Sequence, residues 1–320
     1  LGYEPMNEPF PGQSGGKLFR KLIASLVKVS LTDKRIKLTK LLRDAIKNPN
    51  HVLDQYTGDV LSKIAAACAS TEHQFDEEHY TPFLNKITAA IREVDPEHTV
   101  IFDQCYWNNF FIPCAAGPIS SNGKPVKNQC FTPHAYDLTV DTPAYEFANN
   151  NRTAGMFAEA RRTQERLVLP VVVGEWGGGG EGTNWYPHIS FLLDLFEKYK
   201  WSNTYFFYLE DAEEMAYRNK KDVGKQDLFD IPLANTVLNR PFPMAVSGEI
   251  KHYHYDESAR SFALSFNQIQ VSHVPTEVFL PSKPLDIQVD NGEYALEEYG
   301  DAYYIKWKTA PGTHTFKVQL

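Results

Sequence analysis

The chain has 320 residues, 42% hydrophobic and 22% charged, which is typical of a folded globular protein large enough for two domains. Its formal net charge is -8, which argues against broad nucleic-acid binding. No run of about 18 apolar residues is present, so the sequence predicts no membrane span.

The chain opens with LGYEPMNEPFPG, which predicts a short buried strand over residues 1–9. This strand runs directly into Asn7 and Glu8, with no preceding turn or helix. A strand that ends in a carboxylate usually lies well inside a domain. Either this segment is an unusual beginning for a fold, or the fold begins earlier, in polypeptide that precedes Leu1.

A basic segment follows the opening strand. Ten lysines and arginines lie between residues 17 and 47, against Asp33 and Asp44, which gives the segment a charge of +8. Apolar residues recur there at helical spacing: Leu18, Leu22, Leu26 and Val29, then Leu38, Leu41, Leu42 and Ala45. The pattern predicts helices with one buried stripe and a basic face, which suits an anionic membrane surface. A solvated helical face packed on a domain is the alternative.

From residue 80 onward, helices and strands alternate regularly. We predict helices at 80–93, 154–167 and 186–199, and strands at 99–104, 129–135, 170–176 and 203–209. Near-continuous apolar strands that alternate with helices indicate a parallel sheet covered by helices. Beyond about residue 240 the pattern changes to short alternating runs separated by turn residues, which predicts an antiparallel β-sandwich over 247–320.

The cysteines and one glycosylation sequon bear on the compartment. The four cysteines, Cys68, Cys105, Cys114 and Cys130, match no zinc-site spacing. They suit either a disulfide in an oxidising compartment or buried free thiols. Asn151 begins the sequon Asn-Arg-Thr, within a polar run where we expect a surface loop. These features favour a secreted or lysosomal protein.

Two glutamates each follow an apolar strand: Glu8 after GYEPMN and Glu175 after PVVVG. In a parallel α/β barrel the carboxyl ends of the strands meet at one face, where active sites form. Two carboxylates held there can serve as acid and nucleophile on a glycosidic bond, with no metal or cofactor. Each glutamate taken alone is equally consistent with a structural role at a strand end.

Three sequence motifs carry a family resemblance. NEP at a strand end, PHAYD on a later strand and VVVGEWG on the next resemble the retaining glycosidases of glycoside hydrolase family 5. GYEPMNEPFPG, FLNKITAAIREVDPEHTVIF and RPFPMAVSGE resemble its endoglycoceramidase branch. The resemblance implies a (β/α)8 TIM barrel, of which this chain supplies strands four to eight, plus a C-terminal antiparallel β-sandwich. We expect the barrel part at 1–240, with a basic helical insertion at about 11–79, and the sandwich at 241–320.

The resemblance also assigns roles to individual residues. It makes Glu8 the general acid and base and Glu175 the nucleophile. The expected substrate-binding residues are Asn7, His134, Tyr136, Trp176 and Phe206. His134 and Tyr136 alternate on one strand and so face the same side. Phe206 stands where the family usually has a tryptophan, and it offers less stacking area and no N–H donor.

The resemblance further implies a partner, because NEP closes the fourth of eight strands in the family. We expect a second chain, cut from the same precursor, to supply the first three strands. The implied function is cleavage of the β-glycosidic bond that joins a glycan to a ceramide-like part of a glycolipid. The alternatives are a β-glycosidase acting on soluble glycans or simple glycosylceramides, and a non-catalytic glycan- or lipid-binding protein.

Overall fold

A computed structural model describes residues 2–48, 56–121, 123–140, 148–177, 186–206 and 237–320. The chain divides into two compact units. Unit 1 comprises residues 1–180 and 202–207, and unit 2 comprises 181–201 and 208–320. None of the helices in the described residues has the length and apolarity needed to cross a membrane.

The described residues of unit 1 contain five short parallel strands. They are β1 (Gly2–Tyr3), β2 (Thr99–Phe102), β5 (Gln129–Phe131), β6 (Val172–Val173) and β7 (Ser202–Asn203), and a small hairpin is formed by β3 (Ser120–Ser121) and β4 (Lys124–Pro125). The sheet runs β1-β2-β5, a parallel bridge from Phe131 to Val171 leads on to β6, and β6 pairs with β7. The carboxyl ends of these strands therefore lie along one edge. Parallel strands in chain order with helices between them are the arrangement of a TIM barrel.

Six α-helices lie in the described residues of unit 1. They are α1 (Gly15–Ser30), α2 (Leu38–Lys47), α3 (Gly58–Ala65), α4 (Ala69–Phe75), α5 (Thr81–Val94) and α6 (Asn150–Leu167). A π-helical segment, Asp76–Tyr80, joins α4 to α5. The predicted helix at 80–93 is confirmed as α5, which has proline near its first turn.

Helices α3 and α6 approach each other closely at a pair of glycines. A Cβ added to Gly58 would lie 2.9 Å from Cα of Gly155. One helical turn further along α3, the Ser62 hydroxyl donates a hydrogen bond to Glu159 at 2.9 Å. This contact joins α3, which belongs to the predicted insertion, to α6, which lies between β5 and β6 in the sequence.

The stripe predicted on α1 is confirmed, and the stripe predicted on α2 is only partly correct. Leu18 is fully buried in a cluster with residues of α3 and α6, and Leu22, Leu26 and Val29 pack against it. On α2, Leu38 and Leu41 pack on the same cluster. Leu42 is 66% exposed, and Ala45 is also exposed.

Unit 2 contains α7 (Tyr186–Tyr199) and a β-sandwich of two antiparallel four-stranded sheets. One sheet has the order β12-β15-β10-β9 and the other β13-β14-β11-β8. The strands are β8 (Phe242–Ala245), β9 (Glu249–Asp256), β10 (Ser261–Gln268), β11 (Thr276–Leu280), β12 (Asp286–Val289), β13 (Glu293–Tyr299), β14 (Ala302–Lys308) and β15 (Gly312–Gln319). The predicted sandwich and the helix at 186–199 are confirmed.

Alternation along the strands builds the sandwich core. Phe262, Leu264 and Phe266 alternate along β10 and are buried, with partly exposed residues between them. Trp307 of β14 packs edge-to-face on Phe266, with ring centroids 5.4 Å apart. Helix α7 packs on β9, and the buried Glu197 of α7 lies 2.8 Å from Nδ1 of His254.

The sequence predicted a surface loop around the glycosylation sequon, and this prediction was wrong, because the sequon lies in the first turn of α6. The Asn149 side chain accepts hydrogen bonds from the backbone N–H groups of Asn151 and Arg152, so the polar run caps α6. Thr153 is buried, and its hydroxyl bonds the Asn149 carbonyl at 3.1 Å. Asn151 is exposed within the first helical turn.

All four cysteines, Cys68, Cys105, Cys114 and Cys130, are buried and free. Burial raises the pKa of each of these thiols. The structure therefore has the free-thiol arrangement, the second of the two alternatives that the sequence left open.

Candidate active site

The ends of three strand segments bring two carboxylates and one imidazole together. Glu8 follows β1, His134 follows β5 and Glu175 follows β6. One side-chain ligand atom from each of these residues lies within 4.8 Å of the other two. The two glutamates are 167 positions apart in sequence, so the parallel sheet alone makes them neighbours. The same atoms also have the donor types and spacing of a divalent-cation site.

His134 lies at the centre of this group. Its side chain is 1% exposed, and its Nδ1 lies 2.9 Å from Oε1 of Glu8 and 3.7 Å from Oε2 of Glu175. Burial alone would lower the pKa of His134. The hydrogen bond with Glu8 and the charges of Asp103, Glu175 and Glu8 outweigh burial and raise the pKa to about 9. The imidazole is therefore protonated at neutral pH and donates to Glu8.

Glu8 has an unusual backbone conformation that a buried aspartate supports. Its φ is +41°, in the left-handed region that non-glycine residues rarely adopt. The Glu8 N–H donates to Oδ2 of Asp103 at 2.9 Å. The same oxygen lies 3.5 Å from Nε2 of His134. Asp103 therefore contacts both the backbone of Glu8 and the ring that bonds the Glu8 side chain.

Asp103 follows β2 and is fully enclosed, with 1% exposure. Its Oδ1 accepts the Gln104 N–H at 2.7 Å, so both of its oxygens have donors. Burial raises its pKa, and this effect is opposed by His134 and the two backbone N–H groups. The Tyr80 hydroxyl, at the end of the π-helical segment, bonds the Asp103 carbonyl at 3.0 Å.

Two hydrogen bonds hold Glu175 in place, one at its side chain and one at its backbone carbonyl. The Tyr136 hydroxyl donates to Oε2 of Glu175 at 3.3 Å. The Ala135 N–H bonds the Glu175 carbonyl at 2.8 Å, which fixes the relative register of the two segments. A Cβ on the preceding residue, Gly174, would lie 2.5 Å from Oγ1 of Thr132, so only glycine fits beside the buried strand.

The remaining predicted residues lie near this group with different exposures. Asn7 is exposed and directly precedes Glu8. Trp176 is 1% exposed and packs edge-to-face on Tyr205 at 5.1 Å, so it is part of the core. Phe206 is 46% exposed, and its N–H donates to the Trp176 carbonyl at 2.8 Å. Phe206 follows β7, which pairs with β6, the strand that precedes Glu175.

The sequence-based interpretation did not select Asp103 or Glu4. Asp103 follows the apolar run TVIF, which is the same signal that selected Glu175 after VVVG. Glu4, exposed after β1, shares a second close group with Asp103 and His134. The strand-end rule applied to every strand would have found Asp103, whereas Glu4 had no comparable signal.

Two protein-family models match the chain. The family described as Cellulase (glycosyl hydrolase family 5) matches residues 1–210, and the Glycoside hydrolase family 5 C-terminal domain matches residues 240–319. No curated protein matches the chain.

Several solved structures are similar in fold. The chain matches endo-glycoceramidase II from Rhodococcus sp. in its ganglioside GM3 complex with 16% identity and a TM-score of 0.61, covering 86% of this chain and 65% of that one. The lactosyl-enzyme intermediate of the same protein gives 16% identity and a TM-score of 0.58, covering 84% and 64%. An endogalactoceramidase gives 15% and 0.57, covering 87% and 64%. The chain thus spans just under two thirds of the length of these proteins.

Proposed function

Because the chain belongs to glycoside hydrolase family 5, we propose that it is part of a retaining glycosidase that cleaves the glycan from a ceramide-like aglycone. The supporting observation is the spacing of Glu8 and Glu175, whose facing atoms lie within 4.8 Å. Carboxyl groups about 5–5.5 Å apart suit a double displacement, whereas inverting enzymes need roughly 6.5–9.5 Å to admit a water molecule.

In the first step Glu175 attacks the anomeric carbon while Glu8 gives its proton to the departing glycosidic oxygen. Tyr136 holds Oε2 of Glu175, which leaves Oε1 free to form the covalent bond. His134 holds Oε1 of Glu8, which leaves Oε2 to face the leaving group. In the second step Glu8 takes a proton from water, the water oxygen bonds the anomeric carbon, and Glu175 is released.

The glycolipid substrate is supported by the neighbours and by the apolar surroundings of the site. Similar proteins are described with a ganglioside and as an endogalactoceramidase. Phe10, two residues after Glu8, is 53% exposed, and Phe206 is 46% exposed. Exposed aromatic rings close to the catalytic pair suit a substrate that carries both sugar and hydrocarbon.

The test is hydrolysis of an aryl β-lactoside with a fluorogenic leaving group, together with a lactosyl ceramide in detergent. Glu175→Gln should abolish cleavage of both substrates. Glu8→Gln should reduce cleavage of the glycolipid by about 10²–10⁴-fold and cleavage of the aryl glycoside by less, because an aryl group leaves without a proton. Glu93→Gln, an exposed glutamate on α5, is the matched control.

Full activity in Glu175→Gln would refute the mechanism. Rapid turnover of the lactoside without any cleavage of the glycolipid would favour a glycosidase for soluble glycans. Tight binding of either substrate by the wild-type protein without turnover would favour a binding protein.

We propose further that the five parallel strands are strands four to eight of the barrel. Polypeptide outside this sequence, most simply a second chain from the same precursor, would supply the first three. Among the described residues β1 has a single neighbour, β2, and an open edge of a parallel sheet needs a partner. Denaturing electrophoresis of the native protein tests this: a lone 36.4 kDa species with full activity would refute it. A secreted or lysosomal location is part of the same proposal, and cell fractionation would test it.

A further inference from the structure

Helices α1 and α2 each expose a second apolar stripe, separate from the one they bury. On α1, Phe19, Ile23 and Val27 are 63%, 48% and 46% exposed and recur every fourth residue, so they form a line along one face. On α2, Leu42 and Ile46 are 66% and 85% exposed with the same spacing. We call these five residues the apolar ridge. The buried stripe of α1 contains Leu18, Leu22, Leu26 and Val29, so the ridge lies outside the core.

Cations lie beside the ridge on both helices, and few of them are neutralised. Both acidic residues of the segment are already occupied: Asp33 pairs with Arg35 at 2.6 Å and with Lys63 at 3.2 Å, and Asp44 pairs with Lys40 at 3.2 Å. The ion pairs of the described residues include none for six lysines of the segment: Lys17, Lys21, Lys28, Lys34, Lys37 and Lys47. A positive surface therefore adjoins the ridge, in a chain whose net charge is -8.

We propose that α1 and α2 dock the protein on the surface of an anionic lipid bilayer. An apolar line flanked by lysine and arginine is the pattern of a helix that lies in the membrane interface, with side chains in the acyl boundary and cations at the phosphates. Two copies of this chain that met through the ridge would bring two segments of charge +8 together, and their repulsion argues against a dimer there. Nucleic acid would match the charge and leave the apolar side chains without a partner.

The position of the ridge relative to the catalytic pair fits this role, and here the inference rests on the proposed function. Helix α1 begins seven residues after Glu8. The exposed Phe10 connects them, with its ring 5.5 Å from the ring of Trp107. A Cβ on Gly15, the first residue of α1, would lie 3.1 Å from the same tryptophan. A bilayer in contact with α1 would thus present glycolipid headgroups close to the strand end that carries Glu8.

Co-sedimentation with sonicated vesicles tests the docking without any glycolipid. Vesicles of phosphatidylcholine alone are compared with vesicles that contain about 30% phosphatidylserine. The wild-type chain, with any polypeptide that copurifies, should bind the anionic vesicles at least about tenfold more tightly. The triple variant Phe19→Ser, Ile23→Ser, Val27→Ser should lose at least about tenfold in the partition constant and keep its circular dichroism spectrum, because all three side chains are exposed.

The matched control replaces three other exposed apolar residues, in unit 2. Ile269, Val271 and Leu285 are 80%, 69% and 79% exposed, and their serine variants should bind vesicles as the wild type does. A charge variant, Lys17→Glu with Lys28→Glu, should remove most of the preference for phosphatidylserine. Wild-type protein that ignores anionic vesicles, or a ridge variant that binds like the wild type, would overturn the inference. So would a ridge variant that changes the oligomeric state and leaves vesicle binding unchanged.

The proposed function can fail independently of this inference. Hydrolysis of the soluble aryl lactoside is measured on the same variants, and it should not change with the ridge. Vesicle binding without hydrolysis would refute the proposed function and leave the docking in place. Hydrolysis without vesicle binding would refute the docking and leave the proposed function in place.

Discussion

Replacing Asp103 with asparagine would test how the catalytic acid is held. The wild-type carboxylate accepts the Glu8 N–H at 2.9 Å and lies 3.5 Å from Nε2 of His134. Asparagine has nearly the same shape, yet it has one acceptor oxygen and no charge. If that oxygen keeps the Gln104 N–H, the amide NH2 faces the Glu8 N–H, and two donors then oppose each other.

The expected loss follows from these contacts. A hydrogen bond to a charged group contributes about 1.5–3 kcal/mol. If this energy serves to hold Glu8 in its left-handed conformation, kcat should fall about 10- to 150-fold, at about 1.4 kcal/mol for each factor of ten. KM should change little, because Asp103 is 1% exposed and has no surface on which to contact substrate.

The pH profile distinguishes this role from general destabilisation. The charge of Asp103 is one of the causes that raise the pKa of His134 to about 9. Removing a negative neighbour lowers the pKa of an imidazole, so the alkaline limb of kcat should move to lower pH. The assay is hydrolysis of the soluble aryl lactoside between pH 4 and 10.

Asp76→Asn is the matched control. Asp76 is also fully buried, and its Oδ2 accepts two backbone N–H groups, those of Ala115 at 2.7 Å and Ala116 at 3.1 Å. This variant should lose stability and keep the wild-type alkaline limb. A folded Asp103→Asn protein with kcat within twofold of the wild type and an unmoved limb would refute the reasoning. An equal shift of the limb in Asp76→Asn would also refute it.

Three further predictions concern stability. Arg152→Met leaves the fully buried Asp137 without the guanidinium 3.1 Å away, and it should lower the free energy of unfolding of unit 1 by about 3–5 kcal/mol in urea denaturation. Gly155→Ala puts a methyl group 2.8 Å from Cα of Gly58, and it should separate α3 from α6, lowering Tm and increasing amide exchange in α3. Burial raises the pKa of Glu72 to about 7 from 4.5, so its contribution to stability is complete below about pH 4.5 and is lost as pH rises through 7. Tm should therefore fall between pH 5 and 8.5, and the fall should be smaller in Glu72→Gln; an equal fall in the variant would contradict this assignment.

Periodicity predicted the helices at 80–93, 154–167 and 186–199, and alternation predicted the strands of the sandwich. The predicted buried strand over 1–9 was wrong, because only Gly2–Tyr3 form a strand there and both residues are exposed. The end of the predicted strand at 203–209 lies outside the described residues. The strand-end carboxylates Glu8 and Glu175 were predicted to meet, and they do, since the register of a parallel sheet places strand ends at one edge. Asp103 gives the same signal after TVIF. Its importance depends on the backbone N–H of Glu8, 95 positions away, and no local pattern reveals that contact.

The structure differs from the sequence prediction in two other places, where one stretch of sequence is compatible with two local structures. On α2, Leu38, Leu41, Leu42 and Ala45 form one apolar patch in sequence, and periodicity cannot tell which edge of it is buried. Packing against α1 and α3 selects Leu38 and Leu41 and leaves Leu42 exposed. The run ANNNRT is polar enough for a loop, yet the Asn149 side chain can cap a helix, and this turns the sequon into a helical turn.

The structure also shows which of the two carboxylates the imidazolium positions. Nδ1 of His134 lies 2.9 Å from Oε1 of Glu8 and 3.7 Å from Oε2 of Glu175, so its hydrogen bond goes to Glu8. In a double displacement the acid and base must exchange a proton twice in each cycle, and its carboxyl group must face the same oxygen position both times. Asp103 contacts both this ring and the backbone N–H of Glu8, so the orientation of the proposed acid depends on a residue that is itself only 1% exposed.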